Sequence, residues 1–369
     1  MAENTTSKSL YEDLQPIQGV ILGLIGTPGI IANIFAIVVT VKLLRQQNLS
    51  PNVFVFGLAC MDCFGIIVVC TPTWLCYIFG HWVGGQQMCK FQGFMTLFCT
   101  LGTGFIATSM SVDRFIAVKW PLHHRQRVTA KVAKRLVLGL VTTAGVVASF
   151  PVLGFGSFVM NLTGTYCTLN WFAEDKEDIS FSYMYAVIGM MLVVTVIFCN
   201  INVVVKLCKR EDKLRGMSRK SEQQENQASR TLEKQFTKMM IVISLMFLIC
   251  WTPFVIRIIS NLAGVWISWS ADLQASRLLL LNLVLDPFTY VLTRQHYRHA
   301  LRDLCCACRK NIRRQGFKGN SSLTSSSRNI RITNSSNVLD VVDIKEEPVK
   351  EQEVIKNMKG SDSCNESLV

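Results

Sequence analysis

Charged side chains are rare inside the long apolar stretches of this sequence, so each one is a candidate for chemistry or for a structural ion pair. A charge surrounded by hydrocarbon is costly and needs a partner, a ligand or a bound ion. Arg277 could bind an anion, because a guanidinium holds a carboxylate through two parallel hydrogen bonds, or it could extend to the outer lipid headgroups. Leaving aside the first and last four residues of each stretch, the charged residues are Asp62, Asp113, Arg114, Arg257, Arg277 and Asp286.

Two of these acids, Asp62 and Asp286, indicate a polar site in the interior. They could share a proton, a sodium ion or a water cluster, or they could form a structural hydrogen-bonded pair. Asp113 and Arg114 are adjacent, and they could form an ion pair that a new partner pulls apart or a static anchor of the topology. No acid occurs between residues 89 and 112. An amine ligand would lack a counter-ion there, so an anion at Arg277 is the more natural partner.

The elements that must position these residues are seven apolar runs. Each run is long enough to cross about 30 Å of hydrocarbon with roughly 20 residues, and each is predicted to be a helix because lipid offers no hydrogen bonds to the backbone. Composition agrees, since 50% of residues are hydrophobic, 17% are charged and the mean hydropathy is +0.32. The predicted fold class is an all-α membrane bundle of seven transmembrane helices. The runs are 20–44, 53–79, 91–118, 132–160, 181–207, 236–263 and 273–292.

Basic residues lie between the runs and orient the bundle. Lys and Arg follow the first, third and fifth runs, which predicts cytoplasmic loops there. The amino terminus is then extracellular and the carboxyl terminus cytoplasmic in the plasma membrane, and no cleavable signal peptide is expected. The net charge of +13 does not indicate nucleic acid, because the basic residues form no patch on a soluble domain. The expected divisions are an extracellular terminus (1–18), the seven-helix domain (19–294), an amphipathic membrane-surface helix (295–308) and a disordered cytoplasmic tail (309–369).

Glycosylation motifs and cysteines agree with this topology. Asn4 and Asn161 are candidate glycosylation sites because both fall on the predicted outer side. Cys89 and Cys167 fall on the same side, where the compartment is oxidising, and are predicted to form a disulfide.

The segment after the seventh run alternates basic and apolar residues, which is typical of a helix lying along a membrane. It ends in cysteines that are candidates for palmitoylation, with an unmodified thiol cluster as the alternative. The Ser and Thr residues that follow are open to phosphorylation. The cysteines are Cys305, Cys306 and Cys308.

Motifs within the runs resemble those of rhodopsin-like G-protein-coupled receptors. The motifs are Asn33, then Leu58, Ala59 and Asp62, then Asp113-Arg114-Phe115, Cys250-Trp251-Thr252-Pro253 and Asp286-Pro287-Phe288-Thr289-Tyr290. The resemblance implies that Arg114 opens a cytoplasmic cleft to a heterotrimeric G protein when the sixth helix swings. It also implies receptor kinases and arrestin acting at the Ser/Thr tail, and an interior polar or sodium site that includes Asn33 and Asp62. The implied coupling and activation switch comprises Asp113, Arg114, Trp251, Pro253, Asp286, Pro287 and Tyr290.

Two longer segments resemble the prostanoid receptors within that family. Residues 164–171 are similar to their second-loop signature, residues 285–294 to their seventh-helix ending, and Arg277 occupies the position of their carboxylate-binding arginine. The resemblance implies a prostaglandin-like lipid carboxylate as ligand, with prostaglandin E2 first, and a stimulatory G protein that raises cAMP. It implies that Thr73, Tyr77 and Thr165 contact the carboxylate end. Phe288 stands where the prostanoid receptors usually have Trp. The resemblance therefore indicates membership of the group more directly than it indicates which prostanoid binds.

Other function classes have less support. A retinal photoreceptor needs a lysine in the seventh run, and residues 273–294 contain none. An enzyme would need a catalytic constellation, which the sequence does not present, and no metal or cofactor is expected. A receptor for another lipid carboxylate or another small ligand, with different G-protein coupling, is the alternative. A transporter, which would need inverted halves or charged pathway residues, is a remote one.

Overall fold

The computed structural model describes residues 16–46, 48–161, 164–172, 174–216, 224–293, 297–298 and 301–302. Within the predicted amphipathic segment, residues 297–298 and 301–302 are helical. The predicted tail, 309–369, lies outside the described residues. So do the modification candidates Asn4, Cys305, Cys306 and Cys308.

Seven long helices account for most of the described structure, and each contains one of the predicted apolar runs or the greater part of it. A short helix precedes the fourth long one. The helices are α1 (Pro16–Gln46), α2 (Ser50–Phe79), α3 (Gly85–Lys119), the short α4 (Pro121–Arg127), α5 (Ala130–Ser149), α6 (Lys176–Gly216), α7 (Gln224–Leu262) and α8 (Trp269–Thr293).

Local sequence sets several helix boundaries. Pro51 lies in the first turn of α2, where a missing backbone N–H costs nothing. Gly80 ends the same helix in a left-handed conformation with φ 71°, which a residue with a side chain rarely adopts. The Thr129 hydroxyl caps α5 by accepting a hydrogen bond of 3.4 Å from the Val132 backbone N–H.

The helices form a ring that closes where α1 contacts both α2 and α8. α2 and α3 are mostly buried, whereas α1 and α5 face outward. The outward side chains of α1 are apolar, with Leu24 and Ile31 each 68% exposed, as expected for a surface that contacts lipid. Two large groups of buried side chains fill the bundle, one around Trp251 and one around Tyr290.

The predicted fourth span, 132–160, is wrong at its carboxyl end. The helix α5 stops at Ser149 and a 3-10 turn, Phe150–Leu153, follows. Strand β1 (Phe158–Met160) then pairs antiparallel with β2 (Cys167–Leu169), with Met160 opposite Cys167. Pro151 and two left-handed glycines, Gly154 and Gly156, break the helix, and β2 supplies the hydrogen bonds that an apolar strand needs. Hydropathy alone does not separate such a strand from a helix end.

Six of the described helices are long and apolar enough to cross a membrane: α1, α2, α3, α5 with its 3-10 extension, α6 and α7. The remaining long helix, α8, carries Asp272, Arg277 and Asp286 within its length. These charges lower its hydropathy, and two of them, Arg277 and Asp286, are side chains for which the sequence suggests chemistry. The bundle still encloses α8, because α1 and α7 pack on it from two sides.

Candidate ligand-binding site

Cys89 and Cys167 form a disulfide, which confirms the predicted pair. Cys89 lies near the start of α3 and Cys167 begins β2, so the bond ties the β1–β2 hairpin to α3. The predicted glycosylation residue Asn161 directly follows β1, and its backbone N–H donates to the Tyr166 carbonyl over 2.8 Å. Asn161 therefore lies in the turn of the hairpin.

A cavity of about 550 Å³ lies between α1, α2, α3, α8 and the hairpin, with Phe254 of α7 also on its wall. Its volume is in the range that holds small-molecule ligands. Much of the wall is aliphatic, including Ile21, Ile25, Ile66, Val69, Leu279 and Val284. The structure brings all four predicted ligand residues to this one cavity: Thr73, Tyr77, Thr165 and Arg277.

Hydroxyl groups lie close to Arg277 in the cavity. The Tyr77 hydroxyl hydrogen bonds to the Thr165 side chain and is within electrostatic range of the Arg277 guanidinium. Tyr166 also lines the cavity. Burial raises the pKa of the Tyr166 hydroxyl, so this group is neutral near pH 7 and adds no negative charge. One cation beside neutral hydroxyl groups suits a carboxylate.

Another arginine, Arg257, is buried, whereas Arg277 is exposed on the cavity wall. Arg257 is held by a network that joins α7 to α8. Its Nε donates to Asp272 Oδ1 over 2.6 Å, and its terminal nitrogens donate to the Trp266 carbonyl over 2.7 Å and to Asn261 Oδ1 over 2.8 Å. Asn261 Nδ2 also donates to Asp272 Oδ1 over 3.0 Å. Arg257 was singled out from the sequence but Asp272 was not, and the available signal for Asp272 was its position in the first turn of α8.

The interior acids Asp62 and Asp286 are both buried and lie within electrostatic range of each other. Apart from their mutual interaction, their carboxyl oxygens hydrogen bond to no other described group. Asn33 Nδ2 donates to the Gly29 carbonyl over 3.1 Å and to the Leu283 carbonyl over 3.0 Å, which joins α1 to α8. Buried polar atoms in proteins are normally paired, so this cluster has the chemistry of a water or cation site.

The predicted pair Asp113 and Arg114 is present at the far end of α3 from the disulfide. Arg114 Nε donates to Asp113 Oδ2 over 3.0 Å, and Arg114 is only 6% exposed. His124 of α4 approaches the other oxygen, with 2.9 Å between Nε2 and Asp113 Oδ1. His124 was not predicted as a partner of Asp113, because only the turn between α3 and α4 brings the two side chains together.

The remaining residues of the predicted switch lie along α7 and α8. Trp251 is buried against Phe247 with 5.1 Å between ring centroids, and a Cβ on Gly104 would lie 2.9 Å from its ring. Tyr290 is buried within electrostatic range of Asp286. Pro253 and Pro287 lie inside α7 and α8, and both helices continue past them.

The model of the family described as 7 transmembrane receptor (rhodopsin family) matches residues 32–290. This chain belongs to the rhodopsin family of seven-transmembrane receptors. The predicted seven-helix fold class and the prediction that the chain is a receptor rather than an enzyme are thereby confirmed. The receptor is therefore a multi-pass membrane protein, and the match covers α1 from its middle through Tyr290 of α8.

Among curated relatives, the receptor is 27% identical to the human prostaglandin E2 receptor EP4 subtype over 304 residues, which cover 72% of this chain and 62% of the relative. It is 26% identical to galanin receptor 2b of Danio rerio, over 78% of this chain and 74% of that protein. The structure of squid rhodopsin matches with a TM-score of 0.70 at 20% identity, over 80% of this chain and 85% of that one. The receptor spans less than two thirds of the length of its EP4 relative.

Proposed function

We propose that this protein is a receptor for a prostanoid, with prostaglandin E2 as the first candidate. The observation that carries the proposal is that Arg277 lies within electrostatic range of Tyr77, which hydrogen bonds to Thr165, on the wall of a largely apolar cavity. A fatty acid with one carboxylate needs a cation beside an apolar channel. The similarity to the prostaglandin E2 receptor EP4 subtype supports the same ligand class.

The proposal includes coupling to a stimulatory heterotrimeric G protein, which raises cAMP. The G protein would bind at the end of the bundle where Asp113, Arg114 and His124 meet, with Trp251, Pro253, Asp286, Pro287 and Tyr290 among the moving parts. This end faces the cytoplasm and the hairpin end faces outward, with the receptor in the plasma membrane. The support is the charge bias of the loops and the resemblance of the motifs to those of the receptor family.

Further parts of the proposal concern ions, modification and desensitisation. Asn33, Asp62 and Asp286 would hold a sodium ion or water cluster, because their buried oxygens need partners. Glycosylation at Asn4 and Asn161, palmitoylation at the tail cysteines, and receptor kinases and arrestin at the tail follow from the predicted topology.

The deciding experiment is a ligand panel on cells that express the full chain and report both cAMP and calcium. Prostaglandins form the main arm, other lipid carboxylates the second, and galanin, the peptide in the name of one relative, the third. Prostaglandin E2 should raise cAMP at the lowest concentration. A response to another lipid carboxylate alone would mean that the ligand is not a prostanoid. Calcium release without a rise in cAMP would mean that the receptor couples to a different G protein.

A further inference from the structure

Gln92 of α3 is fully buried on the wall of the cavity and bonds three elements together. Its Nε2 donates to the Val69 carbonyl over 2.9 Å and to the Thr73 hydroxyl over 3.0 Å, both on α2. Its Oε1 accepts the backbone N–H of Cys167 in the hairpin over 2.8 Å. Both amide protons and the amide oxygen are therefore used.

The hydrogen bond between Gln92 and Thr73 differs from those that several other threonine hydroxyls make in this bundle. Thr96, Thr142 and Thr195 each donate their hydroxyl proton to the carbonyl four residues earlier in their own helix, over 2.7 to 2.9 Å. For Thr73 that carbonyl belongs to Val69, and Gln92 already donates to it. The Thr73 hydroxyl is an acceptor from the same amide.

A hydroxyl that accepts one hydrogen bond keeps its own proton for a different acceptor. Thr73 lines the cavity one helical turn before Tyr77. We propose that Gln92 is a positioning residue that turns the Thr73 hydroxyl into a hydrogen-bond donor for the anionic group of the ligand and fixes the hairpin beside it. This inference rests on the proposed function, since it requires a ligand with an anionic group.

The hairpin side of the contact strengthens this role. The Cys89–Cys167 disulfide fixes the hairpin to α3 covalently, and Gln92, one turn along α3, holds the amide of the same Cys167. Thr165 precedes Cys167 by two residues and hydrogen bonds to Tyr77. One glutamine thus sets the distance between two hydroxyl groups, on Thr73 and Thr165, that approach the ligand from α2 and from the hairpin.

The test replaces Gln92 with Met, which has similar length but neither donor nor amide acceptor, in the full receptor in cell membranes. Binding of prostaglandin E2 and of its methyl ester is measured for Gln92→Met, Thr73→Val and the double variant. Gln92→Met should weaken the acid about tenfold, the size of one hydrogen bond to a charged group, and the ester much less. The ratio of acid to ester affinity in the double variant should match that of Thr73→Val, because the acid-selective part of both effects passes through one hydrogen bond.

Thr103→Val is the matched control, since Thr103 is buried on the same helix and donates to its own Thr100 carbonyl over 3.0 Å. It should leave acid and ester binding as in the unmodified receptor. Equal losses for acid and ester in Gln92→Met, or acid-selective losses that multiply in the double variant, would overturn the proposal. If Gln92→Met fails to reach the cell surface, Thr73→Val, which adds no charge and keeps the bond between Gln92 and Cys167, should still lose the acid selectively. Equal losses for acid and ester in Thr73→Val would then overturn the proposal.

Hydrogen exchange of the ligand-free receptor separates this inference from the proposed function. Exchange at the Cys167 amide should become faster in Gln92→Met and stay unchanged in Thr103→Val. Unchanged exchange at the Cys167 amide in Gln92→Met would show that Gln92 does not hold the hairpin, and it would overturn the proposal. If the unmodified receptor binds no prostaglandin acid, the proposed ligand and the donor role of Thr73 fall together, whereas faster exchange would still establish Gln92 as the residue that fixes the hairpin.

Discussion

Arg257 on α7 and Arg277 on α8 have different surroundings: Arg257 is buried, whereas Arg277 is exposed. Arg257 is bonded to Asp272, Asn261 and backbone carbonyls, and none of these bonds needs a ligand. Arg277 lies on a cavity wall within electrostatic range of Tyr77. Removing one partner of a buried ion pair destabilises the fold, whereas a cation facing an apolar cavity can bind a ligand.

The largest effect is expected from breaking the Arg257 network. Arg257→Met should destabilise the receptor by about 3 to 5 kcal/mol, because it leaves the Asp272 carboxylate buried without its counter-ion. Thermal unfolding of the purified receptor measures the loss. Adding Asp272→Leu removes the unpaired charge and should recover much of the stability. A single variant as stable as the double variant would mean that the ion pair does not hold α7 to α8.

A comparable effect, on binding rather than on stability, is expected at Arg277. Arg277→Ala should weaken binding of prostaglandin E2 by roughly 2 to 5 kcal/mol, since a charge-assisted pair with the ligand's carboxylate is lost. The methyl ester should lose far less, and Arg277→Lys should recover only part of the affinity, because an ammonium lacks the two-pronged geometry. Equal losses for acid and ester, at normal surface expression, would make Arg277 a structural residue like Arg257.

Loss of the Cys89–Cys167 disulfide should weaken binding of prostaglandin E2 and of its methyl ester to the same extent. Cys167→Ser frees the hairpin from α3 and should cost about 2 to 4 kcal/mol of stability. Because the hairpin forms part of the cavity wall, acid and ester binding should fall together, in contrast to the selective loss at Arg277. Saturation binding with surface-expression controls measures the affinities for the acid and the ester. Full binding of both in Cys167→Ser would mean that the hairpin takes no part in ligand recognition.

The smallest effect is expected where α1 meets the cavity. A Cβ on Gly19 would lie 2.7 Å from Cβ of Tyr77, whereas a Cβ on Gly23, one turn away, meets nothing within 4 Å. Gly19→Ala should displace Tyr77 and weaken the acid by about 1 kcal/mol, at the low end of the cost of overpacking. Gly23→Ala is the matched control and should leave binding unchanged. Similar affinities in the two variants would remove Tyr77 from the set of ligand residues.

Local patterns were sufficient for much of the architecture. Seven apolar runs predicted seven helices because a backbone in lipid must bond to itself. Cys89 and Cys167 were paired from topology and redox compartment alone. The same patterns failed at residues 150–160, where an apolar segment becomes a strand, because hydropathy does not record which partner satisfies the backbone.

The sequence by itself determined the helical membrane class, the disulfide and the residues whose charge demands a partner, because the cost of charge and of unpaired backbone in lipid depends only on residue type and run length. Tertiary structure decided which partner each residue has. Asp272 binds Arg257, His124 approaches Asp113, and Gln92 joins α2 to the hairpin. These contacts depend on the relative rotation and depth of packed elements, which residue type and spacing along one helix do not specify.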